Sequence, residues 1–234
     1  MKYVNLRRDQ NVMVLTMNHK GSNSLNPDFV GELRLALAEA GADPAAGALV
    51  ITGGDEKFFC TGLDVDWIKG NFSAVKDFMP QMNAFFTELL LFPVPTVAAV
   101  NGHAYAGGAV LAFLADYRFM RRDRGFMSCP EVAIGVSFPR AVVKVVEKAV
   151  SPRVARDMVL TAKKYDGPEA MKDGLVDGVF PREELLPGAV AFARENARAD
   201  RRVFGRIKQS MYGDLAGLLQ GEDWEEFINF SFGG

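Results

Sequence analysis

The chain has 234 residues, 49% hydrophobic and 24% charged, which is enough apolar material to fill the core of one large domain. Its 27 basic and 29 acidic residues leave a formal net charge of −2, which argues against nucleic acid or an anionic membrane surface as the main partner. Two cysteines, Cys60 and Cys129, are too few for a disulfide framework, so a reducing compartment is expected.

The N-terminal MKYVNLRRDQ has no apolar signal core, no run of 18 apolar residues occurs, and the final SFGG is not a peroxisomal address; cytoplasm is the expected location. Lys2 to Arg7 and Val12 to Met17 read as a hairpin around Asp9-Gln10-Asn11. Asn26-Pro27-Asp28 opens a helix: Asn caps it, Pro loses an N–H that would be unpaired anyway, and Asp faces the positive end of the dipole. Phe29, Leu33 and Leu37 continue it at helical spacing. Ala48 to Thr52 is an apolar run that fits a buried strand. A loop from Gly53 to Leu63 leads into Asp64, and helical sequence covers much of 74 to 91 until Pro93 and Pro95. Thr96 to Val100 is a second buried strand, Asn101 to Gly108 a turn-rich loop, about 107 to 115 an apolar helix, and Asp116 to Met120 a third strand. From about 138 the pattern is mostly helical, with starts at Ser151-Pro152 and Gly167-Pro168, a short strand from Leu175 to Phe180 and a helical tail from about 182. This alternation predicts an α/β core of stacked ββα units over 1–182 and a helical C-terminal region over 183–234.

Two glycine loops follow two buried strands: Phe58 to Asp64, and Asn101 to Gly108. Glycine there lets a ligand approach the backbone, and free N–H groups at a helix start carry partial positive charge. Two such groups aimed at one point form an oxyanion hole. Taken singly, each loop is an ordinary strand-to-helix turn. Neither is a Walker A sequence, and neither fits GxGxxG.

The chain resembles the enoyl-CoA hydratase/isomerase (crotonase) superfamily through five segments in family order. Asn23-Ser-Leu-Asn26 resembles NALN, and Lys57-Phe-Phe-Cys-Thr-Gly-Leu-Asp64 resembles the F-x-x-G-x-D loop. Pro95 to Gly108 resembles P-x-[IV]-A-A-[IV]-x-G-x-x-x-G-G, Asp116-Tyr-Arg-Phe119 the C-D-x-x-[IV]-A strand, and Pro130-Glu-Val-Ala-Ile-Gly135 the motif P-E-x-x-x-G. The match covers about residues 1 to 180 well and the tail loosely. It implies a crotonase-like spiral of ββα units, a homotrimer or dimer of trimers, and an acyl-CoA thioester substrate whose coenzyme A is not a separate cofactor. It also implies that the N–H groups of Leu63 and Gly107 hold the thioester oxygen. Ser24 and Leu25 then line the adenine side through backbone groups, and Lys57 is either a phosphate contact or a solvated loop lysine. Gly62, Asp64, Gly108, Val110 and Phe138 join the expected substrate-binding residues.

Hydratases of this family place one glutamate just after the glycine loop and a second in P-E-x-x-x-G. Here the first position is Val110, inside the apolar run Ala109 to Phe113, and the second is Glu131. Adding water needs a water held and polarised, usually between two carboxylates. Moving a double bond from C3 to C2 needs one base that removes a C2 proton and returns it at C4. The sequence is similar to the short monofunctional Δ3,Δ2-enoyl-CoA isomerases, so Glu131 is expected to be the only proton carrier. Val136-Ser-Phe-Pro-Arg140 replaces the G-A-G-G-T-like run of hydratases.

Other readings stand beside this one: a 2-enoyl-CoA hydratase, a non-catalytic acyl-CoA binding protein, and, more weakly, a serine hydrolase, although Ser128 and Ser137 lack a nucleophile motif. Glu131 also fits a surface turn. His19 and His103 are too few for a metal site. His103 fits a structural turn, and Cys60 a buried inert thiol. Arg121, Arg122 and Arg124 read as a solvated hairpin, and Arg201, Arg202, Arg206 and Lys208 as a solvated helix face or a contact to CoA phosphates. Phe72, Phe78, Phe85 and Phe86 read as core, with some walling an acyl tunnel.

Overall fold

The computed structural model describes residues 1–197, 200–221 and 224–232. The expected hairpin is β1 (Val4–Asp9) paired antiparallel with β2 (Val12–Met17). Three strand pairs follow: β3 (Ala48–Gly53) with β4 (Phe58–Cys60), β5 (Thr96–Val100) with β6 (His103–Tyr105), and β7 (Tyr117–Arg121) with β8 (Met127–Ser128). Each pair gives its first strand to one sheet and its second to another. With β9 (Gly178–Phe180) the larger sheet has order β1-β2-β3-β5-β7-β9, parallel beyond the hairpin, and the smaller is the parallel set β4-β6-β8. The short strands β4, β6 and β8 were not expected; two or three residues carry no readable periodicity.

The helices are α1 (Pro27–Ala42), α2 (Val65–Gly70), α3 (Phe72–Leu90), α4 (Gly107–Leu114), α5 (Arg140–Ala149), α6 (Pro152–Thr161), α7 (Gly167–Lys172), α8 (Arg182–Asn196), α9 (Arg201–Gln220) and α10 (Trp224–Phe232). A 3-10 turn covers Glu131–Ile134. Asn26 caps α1 through its side chain, and Ser151 caps α6. The cap of α7 is Asp166, just before the Gly167-Pro168 start. α3 runs through Pro80 because its buried stripe, from Val75 to Leu90, outweighs one lost backbone bond. The strand expected from Leu175 begins only at Gly178, since Leu175 turns back and donates to the Ala170 carbonyl of α7.

Both faces of the large sheet are covered, which explains the unbroken apolar runs. Val14, Val50, Val97 and Phe119 pack against Leu185, Ala189, Val190 and Ala193 of α8. Leu15, Leu49, Ile51, Ala98 and Val100 face the main core beneath α1, α3 and α4. The basic clusters differ from the solvated reading. Arg121 is buried and donates to Asp123 and to the carbonyls of Glu56 and Asn101, while Arg122 and Arg124 are exposed. Lys208 is buried against Asp116 at 3.0 Å, and Arg201 donates to the carbonyls of Gly41 and Asp43 at the end of α1; Arg202 and Arg206 stay exposed. Among the described residues no helix is long and apolar enough to cross a membrane.

Candidate active site

β4 and β6 run side by side in parallel, so the loops that leave them lie together. The contact is too close for side chains. Gly62 sits at φ +85°, where a Cβ would stand 2.7 Å from the Gly107 nitrogen, and a Cβ on Gly108 would stand 1.9 Å from the Cys60 carbonyl oxygen. Ala106, before α4, takes a positive φ of 53°, an unusual angle for a residue with a Cβ. A one-residue parallel bridge joins the first loop to the segment before α1: Leu25 N–H donates to the Gly62 carbonyl at 2.7 Å, and Asp64 N–H to the Leu25 carbonyl at 2.9 Å. The residue between, Leu63, therefore turns its own N–H away from Leu25. Gly107 is the first residue of α4 and has no intrahelical acceptor. Neither N–H has an acceptor among the described residues. A pair of bare amides at a helix start and a neighbouring loop can hold a developing oxyanion.

An apolar cavity of about 510 Å3 opens at these loops, lined in part by Leu63, Gly107, Val110, Glu131 and Phe138. Met82 and Phe86 of α3 and Trp224, Phe227 and Phe232 of α10 supply further apolar walls. Glu131 heads the 3-10 turn, which Gly135 closes at φ 72° with its N–H on the Glu131 carbonyl. The Glu131 side chain is not a surface group: the residue is 6% exposed, and Oε2 has no hydrogen-bond partner among the described residues. Burial pushes its carboxyl up to about 8, opposed only in part by a hydrogen bond from its own main chain. It is the one carboxylic acid among the described lining residues. A carboxyl held dry, with a pKa near neutrality and a free oxygen, is suited to proton transfer.

Other expected site residues do not line the cavity. Leu25 is fully buried with both main-chain groups spent on the bridge, and the Ser24 carbonyl accepts from His19 Nδ1 at 2.9 Å, so these backbone groups brace the loop. Asp64 caps α2 by accepting from Trp67 N–H at 3.0 Å. Gly62 and Gly108 serve close backbone approach. Lys57 is exposed, with its ammonium 5.0 Å from the centre of the Phe58 ring. Of the phenylalanines singled out, Phe86 reaches the cavity, whereas Phe78 and Phe85 are buried and Phe72 is partly exposed. His103 makes a structural contact: its Nδ1 lies 2.9 Å from the Tyr105 hydroxyl, and its ring stacks on Tyr105 and Phe126. Cys60 is buried, donates to the Asn23 carbonyl, and is pushed up to about 12 by burial. Among the described residues no three His, Cys, Asp or Glu side chains are grouped as metal ligands would be.

Sequence reasoning missed Tyr105, Lys69 and all of α10 as lining elements. The tail does show an apolar spacing at Trp224, Phe227 and Ile228, but periodicity marks a buried face without saying what buries it.

A family model described as enoyl-CoA hydratase/isomerase matches residues 7–222. Enoyl-CoA delta isomerase 2, peroxisomal, of Arabidopsis thaliana is 33% identical over 225 residues, covering 92% of this chain and 94% of that protein. Crotonyl-CoA hydratase of Syntrophomonas wolfei is 33% identical over 192 residues, covering 80% and 73%. Among solved structures, the apo enoyl-CoA isomerase of Mycobacterium tuberculosis superposes with a TM-score of 0.86 at 27% identity, covering 93% of this chain and 94% of that one.

Proposed function

Because the chain belongs to the enoyl-CoA hydratase/isomerase family, we propose that it moves the double bond of a 3-enoyl-CoA to the 2-position, with Glu131 as the sole proton carrier. One observation carries this reading: the cavity offers a single carboxyl among its described lining residues, and the position where a hydratase would place its other glutamate is Val110. The Glu131 carboxylate removes a proton from C2, and the C–H electron pair delocalises through the thioester and the C3–C4 double bond. The resulting dienolate carries its charge on the thioester oxygen, which accepts from the N–H groups of Leu63 and Gly107. Glu131 returns the proton at C4, the double bond settles between C2 and C3, and the enzyme is unchanged. Losing one of two such donors costs about 2.7–4 kcal/mol of transition-state stabilisation. The apolar walls exclude water, which disfavours hydration and keeps the proton on the shuttle.

A hydratase is the second reading, favoured by the Syntrophomonas wolfei relative. Separate assays with 3-hexenoyl-CoA and crotonyl-CoA decide. Isomerisation of the first with little hydration of the second is expected; efficient hydration without isomerisation overturns the proposal. Thioester binding with no turnover of either would leave a binding protein. The family also suggests a homotrimer or dimer of trimers, which sedimentation of the purified protein reads directly.

A further inference from the structure

His19 sits at the end of β2, 1% exposed, outside the cavity. Its ring is stacked on Phe29 at 4.9 Å and met edge-on by Tyr3 at 4.6 Å. The chain just beyond it is strained at two residues that carry a Cβ: Lys20 and Asn23 take positive φ, of 48° and 52°, on either side of Gly21 and Ser22. Such a backbone persists only where its surroundings over-determine it. Asn23 supplies one tie, accepting from His19 N–H at 2.7 Å and donating to the Phe59 carbonyl at 2.9 Å.

The second tie runs through the imidazole. Asn26 Oδ1 accepts from Phe29 N–H at 3.0 Å, so its Nδ2 is the donor on the other side. That Nδ2 faces His19 Nε2 at 3.5 Å and donates to Asp64 Oδ2 at 3.3 Å. Nε2 is therefore an acceptor, and the ring proton is on Nδ1, which donates to the Ser24 carbonyl at 2.9 Å. Burial favours the same neutral ring. Ser24 and Asn26 flank Leu25, and Leu25 is bonded on either side of Leu63.

We propose that His19 is a positioning residue: through Asn26 and Asp64 it latches the Ser22–Asn26 segment and thereby aims the Leu63 N–H at the substrate's thioester oxygen. This rests on the reading that the Leu63 amide is one of the two oxyanion donors.

The test reads that donor directly. Infrared difference spectra of carbonyl-13C butyryl-CoA, which can neither isomerise nor add water, report how strongly the bound carbonyl is polarised. The wild-type protein is expected to lower the carbonyl stretch. H19F keeps the ring stack and removes both ring hydrogen bonds; D64N keeps an oxygen for the Trp67 cap and breaks the link to Asn26. Both are expected to lose a large part of the downshift, and kcat is expected to fall about tenfold with KM within about twofold, since the donor is misaimed rather than the site lost. H19Q, whose amide offers Asn26 an acceptor, should restore part of the shift. A full downshift in folded H19F or D64N overturns the latch. If H19F fails to fold, D64N alone decides. Absence of any downshift in the wild type would instead overturn the oxyanion reading beneath it.

Discussion

At the scale of single residues, the proposed isomerisation turns on how Glu131 is held. Its carboxyl stands at about 8 because burial opposes the charged form. A base must be ionised, so the competent fraction grows as pH rises toward and past that value. In the isomerisation assay kcat/KM should climb about tenfold per pH unit below 8 and level off above it. E131Q should cut turnover by about 10^2- to 10^4-fold and abolish the limb. The same burial has a stability consequence of opposite direction. A carboxyl whose folded pKa is raised binds its proton more tightly in the folded state, so its stabilisation is complete below the ordinary value of 4.5 and is lost as pH rises through about 8. E131Q, which never ionises, should therefore unfold at a higher temperature than the wild type at pH 9, with the gap narrowing at pH 5. Differential scanning calorimetry at the two pH values checks this; equal melting temperatures at pH 9 would mean that the carboxyl is solvated in the folded state.

At the scale of elements, α4 is arranged end to end. Its first residue, Gly107, presents a bare N–H, and cations gather at its other end: Arg118 donates to the Ala115 carbonyl at 3.1 Å and Lys148 to the Phe113 carbonyl at 3.2 Å. Both oppose the negative end of the helix dipole. Behind them Lys208 of α9 pairs with Asp116, whose Oδ2 also accepts from the Thr96 N–H and hydroxyl, each at 2.9 Å. K208M removes the buried cation from this largely shielded carboxylate, whose side chain is 13% exposed, and should cost up to about 3 kcal/mol in urea unfolding. The double variant D116N/K208M should recover part of that, because it removes the stranded charge as well. Little of this was legible beforehand. Lys208 reads as one of four basic residues in an exposed-looking tail, and only the fold brings it 3.0 Å from Asp116, 92 positions earlier. By contrast, the starts of α1 and α6 were legible, since Asn26 and Ser151 cap them by accepting from N–H groups three residues on, each with a proline at the first helical position. The two glycine loops were legible as loops through their motifs. That Gly62 and Gly108 are needed for close backbone contact, rather than for touching a ligand, was not, because the contacting atoms come from segments far away in the sequence.

At the scale of the whole molecule, the last described helix closes the cavity opened by the strand loops. α10 is held by Trp224, 7% exposed, whose Nε1 donates to Asn83 Oδ1 at 2.7 Å, and by Ser231, which accepts from the Ser137 N–H at 3.2 Å. Truncating a buried Trp to Ala typically costs about 3–5 kcal/mol. Trp224 is the largest of the three buried side chains of this nine-residue helix, beside Phe227 and Ile228, so W224A should loosen α10 locally while leaving the sheets folded. Hydrogen exchange would then show fast exchange over 224–232 with protection retained in β3, β5 and β7. Water would reach the cavity, and the carboxyl of Glu131 would fall from about 8 toward its ordinary 4.5. The limb of kcat/KM should accordingly move to lower pH, even as the maximal rate drops because the shuttle now competes with solvent for its proton. If α10 is released and the limb stays near 8, the dryness of Glu131 comes from the rest of the cavity wall, and the helix serves to retain the acyl chain rather than to tune the acid.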